Sequence, residues 1–243
     1  MFADHYDEVM PKDAVAEQTA DVLADLARGR GPALELGVGT GRIALPLARR
    51  IGTVVGVDFS QGMLDQLERD TKSTGENVRS VLADMRDYAD GRAYPLVYCV
   101  TGTLSGLTDP EDQRRSVLAW ARHLAPDGLL VLEMQNPEAV ALIHGDRTID
   151  TVFQAHPDNG TGVLVSRVLD TERSLWRVSS AYFGASGVKV SQETCRLTPP
   201  EELDGHAAEA GLESLARFGD WHRGPVEPHS GTYISVYRSS AGG

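Results

Sequence analysis

Cysteine, long hydrophobic runs and positive charge are all scarce in this sequence. The two cysteines, Cys99 and Cys195, lie far apart and show neither a metal-ligand nor a disulfide-framework spacing. We therefore expect packed thiols in a reduced, cytoplasmic protein without a metal site. No run approaches the ~18 apolar residues of a membrane-spanning helix. The N-terminus lacks a basic segment followed by an apolar core, so we expect no signal peptide.

The charge balance is strongly acidic, with a formal net charge of −12 at pH 7. Such a surface repels phosphate groups, which argues against nucleic acid and anionic membranes as partners. Hydrophobic residues make up 41% of the chain and charged residues 24%, as in ordinary globular proteins. We expect a single domain, residues 1–243, that carries an added cap. The oligomeric state stays open, with a homodimer as one option.

The order of hydrophobic runs predicts a doubly wound sheet. Apolar residues at helical spacing over 13–28 predict an N-terminal amphipathic helix. Short apolar runs then alternate with helical segments, which predicts the mostly parallel, seven-stranded sheet of a Rossmann-like α/β fold. Residues 150–197 instead contain three strand-like runs without helices, so we expect a small antiparallel β insert after the fifth strand. The strands predicted for the main sheet are 33–36, 53–57, 80–82, 95–100, 129–134, 212–218 and 232–237.

The clearest motif is the glycine-rich turn after the first predicted strand, Gly37-Val38-Gly39-Thr40-Gly41. Glycines let a backbone approach a ligand closely, and the helix that follows presents free N–H groups. Asp58 ends the second predicted strand about 20 residues further on, where a carboxylate can accept hydrogen bonds from both hydroxyls of a ribose. Both features also have a structural explanation, namely a tight strand–helix turn and a helix N-cap formed by Asp58 with help from Ser60.

With these features the sequence resembles the class I S-adenosylmethionine-dependent methyltransferases. In that family the first strand ends in an acidic residue followed by Gly-x-Gly-x-Gly, as Glu35 to Gly41 does here. Segments 83–85, 100–104 and 124–128 match three later motifs in the same order, although Leu129 stands where the family often has a second glycine. Nicotinamide-binding folds place the third glycine one position later, and the acidic Glu35 suits a cationic amino acid better than a pyrophosphate.

The resemblance implies S-adenosyl-L-methionine as the cofactor. Glu35 would bind its amino group, Asp58 its ribose and Asp84 its adenine. Phe59 and Met85 would lie on the two sides of the adenine ring. The full set of predicted cofactor residues is Tyr6, Glu35, Gly37, Gly39, Gly41, Asp58, Phe59, Met63, Asp84, Met85 and Thr101.

More narrowly, the chain resembles small bacterial enzymes that methylate secondary metabolites, including amino-sugar N,N-dimethyltransferases. This implies an N-terminal helical lid, residues 1–30, in which His5-Tyr6-Asp7 cover the cofactor, and makes 150–197 a substrate-binding insert. Large residues on the insert, Trp176, Tyr182 and Phe183, could form an apolar wall for the acceptor, but such residues are more often the packed face of a sheet. The predicted substrate contacts are Tyr6, Asn136, His144 and Tyr182.

Methyl transfer needs alignment and exclusion of water, and no covalent nucleophile. An amine acceptor needs little help to lose its proton, whereas a phenol or alcohol benefits from a base such as histidine. His144 is the candidate base. For His144, as for His156, His222 and His229, the alternative is a solvated position on the surface. The catalytic residue is left unknown.

Three functions compete. The favoured one is N- or O-methylation of a small molecule in secondary metabolism. The second is a protein of the same fold that binds S-adenosylmethionine or S-adenosylhomocysteine without methyl transfer, as a regulator or a cyclisation catalyst. A nicotinamide-dependent oxidoreductase is disfavoured by the early third glycine and by the lack of a Tyr-x-x-x-Lys pair.

Overall fold

Helices and strands largely alternate in a computed structural model of the protein, which describes residues 6–7, 10–156, 161–184 and 187–239. The helices are α1 (Ala14–Leu26), α2 (Ala44–Ile51), α3 (Gln61–Thr74), α4 (Pro110–Ala121), α5 (Pro137–His144) and α6 (Pro200–Glu209), with a 3-10 turn at Thr103–Gly106. The strands are β1 (Ala33–Leu36), β2 (Val54–Asp58), β3 (Val78–Leu82), β4 (Tyr94–Cys99), β5 (Leu124–Gln135), β6 (Ile149–His156), β7 (Thr161–Asp170), β8 (Leu175–Gly184), β9 (Gly187–Arg196), β10 (Leu212–Phe218) and β11 (Thr232–Ser239). Across these ranges no helix is both long and apolar enough to cross a membrane.

One mixed sheet has seven strands in the order β10-β11-β5-β4-β1-β2-β3. The strands from β3 across to β5 pair in parallel, and β11 runs antiparallel to both β5 and β10. The predicted Rossmann-like sheet is confirmed. β1 lies at the switch point, because the chain proceeds from it to β2 and β3 on one side and to β4 and β5 on the other. Ligands of open α/β sheets bind beyond the carboxyl ends of the strands at such a point.

The sheet is covered on both faces, so its central strands are apolar along their length. Every residue of β1 and β2 is buried. Successive residues belong to two different hydrophobic clusters: Ala33 and Val131 pack with α1 and α2, whereas Leu34 and Leu130 pack with α4 and α6. Because side chains alternate across a strand, a one-residue slip would exchange the two faces, and the core thereby sets the strand register.

Polar N-caps set where several helices begin. The side chains of Asp13, Ser60, Asp109 and Asn136 each accept a hydrogen bond from a backbone N–H in the first turn of the helix that follows. Ser60, not Asp58, is therefore the N-cap of α3. This leaves Asp58 at the carboxyl edge of the sheet.

The insert is an antiparallel sheet, as predicted, but it has four strands in the order β6-β7-β8-β9 and not three. The missed strand is β6, and the connection before it also contains α5. β6 pairs along one edge only, with β7, and the side chains of 151–155 are exposed. Such an edge strand needs no apolar face, so its hydrophobic pattern is weak.

Candidate active site

The glycine-rich turn after β1 lies at the switch point of the sheet. Gly37, Gly39 and Gly41 have positive φ angles of 79°, 54° and 81°, a region that glycine adopts without steric cost. A Cβ atom on Gly37 would lie 2.3 Å from Thr103 Cγ2, so this glycine is required by internal packing. The nearest atom to a Cβ on Gly39 would be Tyr6 Cε1, at 4.0 Å. The turn is therefore open to a ligand at Gly39.

Asp58 and Phe59, where β2 ends, lie beside this turn. Asp58 is largely buried, and its two carboxylate oxygens accept hydrogen bonds from the Gly39 amide at 2.9 Å and the Ser60 amide at 2.8 Å. The carboxylate thus braces the glycine turn and keeps lone pairs for ligand hydroxyls. Phe59 is 82% exposed. An aromatic face left uncovered at this edge suits the stacking of a flat ring.

Glu35 is a carboxylate buried within β1. It is 3% exposed and accepts a hydrogen bond from Tyr98 Oη on β4 at 2.8 Å. Burial raises the pKa of Glu35 to about 8; the Tyr98 hydrogen bond opposes this rise and the Asp58 charge adds to it. A cation bound here would offset the cost of the buried charge, so the site favours a positively charged group next to Glu35.

The N-terminal segment is fastened to the glycine turn by polar contacts. Thr40 Oγ1 donates to Asp7 at 2.5 Å, and Arg42 Nε donates to the Pro11 carbonyl at 2.9 Å. These contacts join the segment before α1 to the start of the α2 region. Of the predicted lid residues, His5 lies outside the described residues.

Tyr6 lies over the open side of the turn. Burial raises the pKa of Tyr6 to about 12; the Arg42 charge opposes the rise, and the carboxylates of Glu35 and Asp58 add to it. Tyr6 therefore stays a protonated phenol, close enough to both carboxylates to sense their charge. This position agrees with a lid over a cofactor at Gly39.

Asp84 and Met85 follow β3 and are engaged by the protein itself. The Arg86 guanidinium donates to both Asp84 oxygens at 2.6–3.0 Å and holds the pKa of that carboxyl below its ordinary range. Arg86 also pairs with Asp112 at 2.8 Å. Met85 is half-buried in the core, and its carbonyl accepts a hydrogen bond from Trp120 Nε1 at 2.8 Å. An adenine bound here would share Asp84 with Arg86.

A cavity of 610 Å³ lies between the carboxyl edge of the large sheet and the insert. Of the predicted site residues, Tyr6, Phe59, Thr101 and Tyr182 line it, and Met63 is half-buried in the first turn of α3. Among the described residues that line the cavity, the ionisable carboxyl groups are those of Glu133 and Glu193, and burial raises the pKa of both. The remaining lining residues are Met10, Gly102, Thr103, Gly106, Glu133, Gln135, Val178, Ser180, Ser191, Gln192, Glu193, Thr194, Cys195 and Thr232.

His144 does not line this cavity. It is fully buried at the end of α5, where Nδ1 lies 3.0 Å from the Arg147 carbonyl oxygen and Nε2 accepts a hydrogen bond from Trp176 Nε1 at 3.0 Å. Both ring nitrogens thus have structural partners, with the proton assigned to Nδ1 by these contacts. The structure thus places His144 away from the cavity and packs Trp176 beside it, and the role of His144 as a base or a substrate contact stays a prediction.

Asn136 is also structural. It is buried, its Oδ1 accepts a hydrogen bond from the Glu138 amide at 3.1 Å, and its Nδ2 donates to the Glu227 carbonyl at 3.2 Å. The side chain caps α5 and ties it to the loop before β11. Asn136 is not among the residues that line the cavity, and the substrate contact at this position stays a prediction.

Sequence reasoning missed Glu133 and Gln135, which line the cavity from the carboxyl end of β5. A signal was present, since Glu133 is a lone carboxylate within the apolar run 129–134. A charge in a fully buried strand is costly unless something compensates it.

Comparison with known proteins agrees with this geometry. A family model described as a methyltransferase domain matches residues 33–128. Cypemycin N-terminal methyltransferase of a Streptomyces species is 32% identical over 205 residues, which cover 84% of this chain and 81% of that protein. The solved structure of the CcbJ methyltransferase from Streptomyces caelestis is 29% identical, with a TM-score of 0.87 and coverage of 99% of this chain and 97% of that one.

A third relative is the dTDP-3-amino-3,6-dideoxy-alpha-D-glucopyranose N,N-dimethyltransferase of Streptomyces fradiae, 32% identical over 117 residues. That match covers 46% of this chain and 44% of the enzyme, and the chain spans 51–59% of the length of three other curated relatives. Residues 33–128, which the family model matches, include the glycine turn and strands β1 to β4. The chain thus belongs to the S-adenosylmethionine-dependent methyltransferases.

Proposed function

We propose that this enzyme methylates the nitrogen of a small amine in secondary metabolism. The observation that carries the proposal is the acidic lining of the cavity, which holds two glutamate carboxyl groups and, among the described lining residues, no basic side chain. Such a lining favours a substrate that arrives as a cation. Relatives named for methylating an amino sugar or a peptide N-terminus make an amine acceptor the natural choice.

The residues around Gly39 fit the cofactor. Glu35 offers a buried carboxylate to an amino group, Asp58 retains lone pairs for ribose hydroxyls, and Phe59 presents an uncovered ring to adenine. Bound S-adenosylmethionine supplies an electrophilic methyl group, which the acceptor takes up as the carbon–sulfur bond breaks and its electron pair stays on sulfur. Glu35, Asp58 and Phe59 would hold this molecule at the cavity's edge.

The chain contributes enclosure and alignment. Tyr6 and the insert wall the cavity, which excludes water and restricts the orientations of an acceptor. Cys195 also lines the cavity, but burial raises its pKa to about 12, so it stays a neutral thiol at physiological pH. A covalent role for this cysteine is therefore disfavoured.

The test is a transfer assay with S-adenosylmethionine and paired acceptors. Each amine, an amino-sugar nucleotide or a short peptide with a free N-terminus, is compared with its hydroxyl counterpart. We expect S-adenosylhomocysteine to form and an amine product to gain about 14 Da, the mass of the CH₂ that transfer adds. Cofactor binding without transfer to any amine would support the alternative, a binding protein of the same fold. Preferential transfer to the hydroxyl counterparts would replace N-methylation by O-methylation.

A further inference from the structure

Glu133 is a buried carboxyl group in the cavity whose hydrogen-bond partners are all neutral, with the Arg42 charge acting on it only from beyond ion-pair distance. It is 9% exposed; its Oε2 accepts a hydrogen bond from the Thr101 amide at 2.6 Å, and its Oε1 from Trp221 Nε1 at 3.2 Å and Thr232 Oγ1 at 3.4 Å. All three donors are neutral, and Glu133 forms no ion pair within the part of the chain that the structure describes. Burial raises the pKa of Glu133 despite these donors. Burial thus disfavours the charged form of this carboxyl group, and a cation placed beside it would offset that cost.

Gln135 lies two positions further along β5 and lines the same cavity, as the alternation of side chains along a strand requires. Its amide lies against Gly102, where a Cβ atom would come within 2.3 Å of Nε2. Its Oε1 is buried and has no hydrogen-bond partner among the described residues. An unpaired buried acceptor costs free energy, so a ligand that donates a hydrogen bond to it is favoured.

We propose that Glu133 and Gln135 form the binding site for the protonated amine of the acceptor, which donates to the Glu133 carboxylate and to Gln135 Oε1. Before transfer the ammonium passes one proton to the Glu133 carboxylate, and the lone pair that this frees on nitrogen takes up the methyl group as the carbon–sulfur bond breaks. This rests on the proposed function and assigns its acceptor site. An ammonium group supplies several donors and a positive charge, whereas a neutral hydroxyl supplies one donor and no charge. Glu193 adds a second carboxylate from β9. These negative charges also reduce the repulsion between the ammonium and a sulfonium nearby.

The indole N–H of Trp221 can report on a ligand bound at Glu133, because it donates a hydrogen bond directly to that carboxyl group. The other two tryptophans, Trp120 and Trp176, donate to the Met85 carbonyl and to His144, and so serve as internal controls. Protein saturated with S-adenosylhomocysteine is titrated with glucosamine, and separately with glucose as the neutral counterpart. The three indole resonances are followed by proton–nitrogen correlation NMR, and Trp221→Phe assigns the reporter.

We expect a saturable shift of the Trp221 resonance with glucosamine and at least a roughly tenfold weaker response to glucose. Glu133→Gln should raise the glucosamine dissociation constant about tenfold or more, and Gln135→Leu several-fold. The matched control Glu213→Gln, on β10 and exposed, should leave it unchanged. The proposal is overturned by an equal response to glucose, by the absence of a saturable response to glucosamine, or by an unchanged constant in Glu133→Gln.

Calorimetry on the same variants separates this proposal from the proposed function. If Glu133→Gln weakens S-adenosylmethionine and leaves the glucosamine constant intact, Glu133 belongs to the cofactor site and the acceptor assignment is overturned. If the wild-type protein binds neither S-adenosylmethionine nor S-adenosylhomocysteine, the proposed function itself fails.

Discussion

The raised pKa of Glu35 predicts that cofactor binding releases protons. With a pKa of about 8, roughly nine in ten Glu35 side chains are protonated at pH 7. If the amino group of S-adenosylmethionine binds there, Glu35 has to ionise, because a neutral acid cannot balance an ammonium. An α-amino group with a pKa of about 7.7–8.0 takes up roughly 0.1 proton in return. Binding at pH 7 should therefore release roughly 0.8 proton per protein molecule.

At higher pH, binding should take up protons where it releases them at pH 7. At pH 9 most Glu35 is already ionised and most free ligand amine is neutral, so binding should take up roughly 0.8 proton. Net proton exchange on binding should be zero near pH 8. Titration calorimetry in buffers with different ionisation enthalpies measures the number of protons exchanged at pH 7 and at pH 9. A wild-type protein that releases no proton at pH 7 would refute the combined reasoning that Glu35 is protonated in the free protein and ionises against the ligand's amine.

Glu35→Gln supplies the matching perturbation. A charge-assisted hydrogen bond contributes about 1.5–3 kcal/mol, but at pH 7 ionising Glu35 in the wild type costs about 1 kcal/mol. The substitution should thus weaken binding by no more than about 2 kcal/mol at pH 7 and by about 1.5–3 kcal/mol at pH 8.5. Proton release at pH 7 should fall to near zero. Glu213→Gln, exposed on β10, is the control that should change neither quantity.

The same carboxyl predicts how stability changes with pH. The folded protein holds the Glu35 proton up to a pKa of about 8, whereas the unfolded chain releases it near 4.5. Wild-type stability should therefore fall relative to Glu35→Gln as pH rises from about 4.5 to 8, by several kcal/mol in all. Denaturant titrations at pH 5 and pH 9 measure the free energy of unfolding of both proteins. If Glu35→Gln is no more stable relative to the wild type at pH 9 than at pH 5, burial does not raise the pKa of Glu35.

Three further substitutions test other parts of the site. Asp58→Ala should weaken cofactor binding by about 1–3 kcal/mol, because the ribose hydroxyls lose a charged acceptor; an unchanged dissociation constant in calorimetry refutes this. Phe59→Ala should weaken binding of S-adenosylhomocysteine by about 1 kcal/mol yet change the free energy of unfolding by under about 0.5 kcal/mol, since Phe59 is so exposed. His144→Leu should cost about 1–3 kcal/mol of stability by leaving the Trp176 N–H unpaired, with kcat per folded molecule unchanged; a large fall in kcat at normal stability restores a catalytic role for His144.

Local sequence patterns correctly predicted the elements whose conformation depends on neighbouring residues. The glycine turn between Leu36 and α2 could be predicted because positive φ angles favour glycine. Strands β1 and β2 could be predicted because a strand buried on both faces is apolar along its length. The edge strand β6 was missed because it has no such constraint. The N-cap role of Asn136 was not predicted, because an N-cap and a substrate contact use the same side-chain chemistry.

The sequence by itself determined the main sheet, the glycine turn and the acidic character of the chain. Periodicity and glycine spacing depend on residues close together in the sequence, and net charge is a sum over all residues. Only the tertiary structure decided which polar groups face the cavity. It buried His144 between Arg147 and Trp176 and brought Glu133 to Thr101 and Trp221, which lie 32 and 88 positions away. Those roles depend on contacts between distant segments, and no local pattern records which distant group will satisfy a buried donor or acceptor.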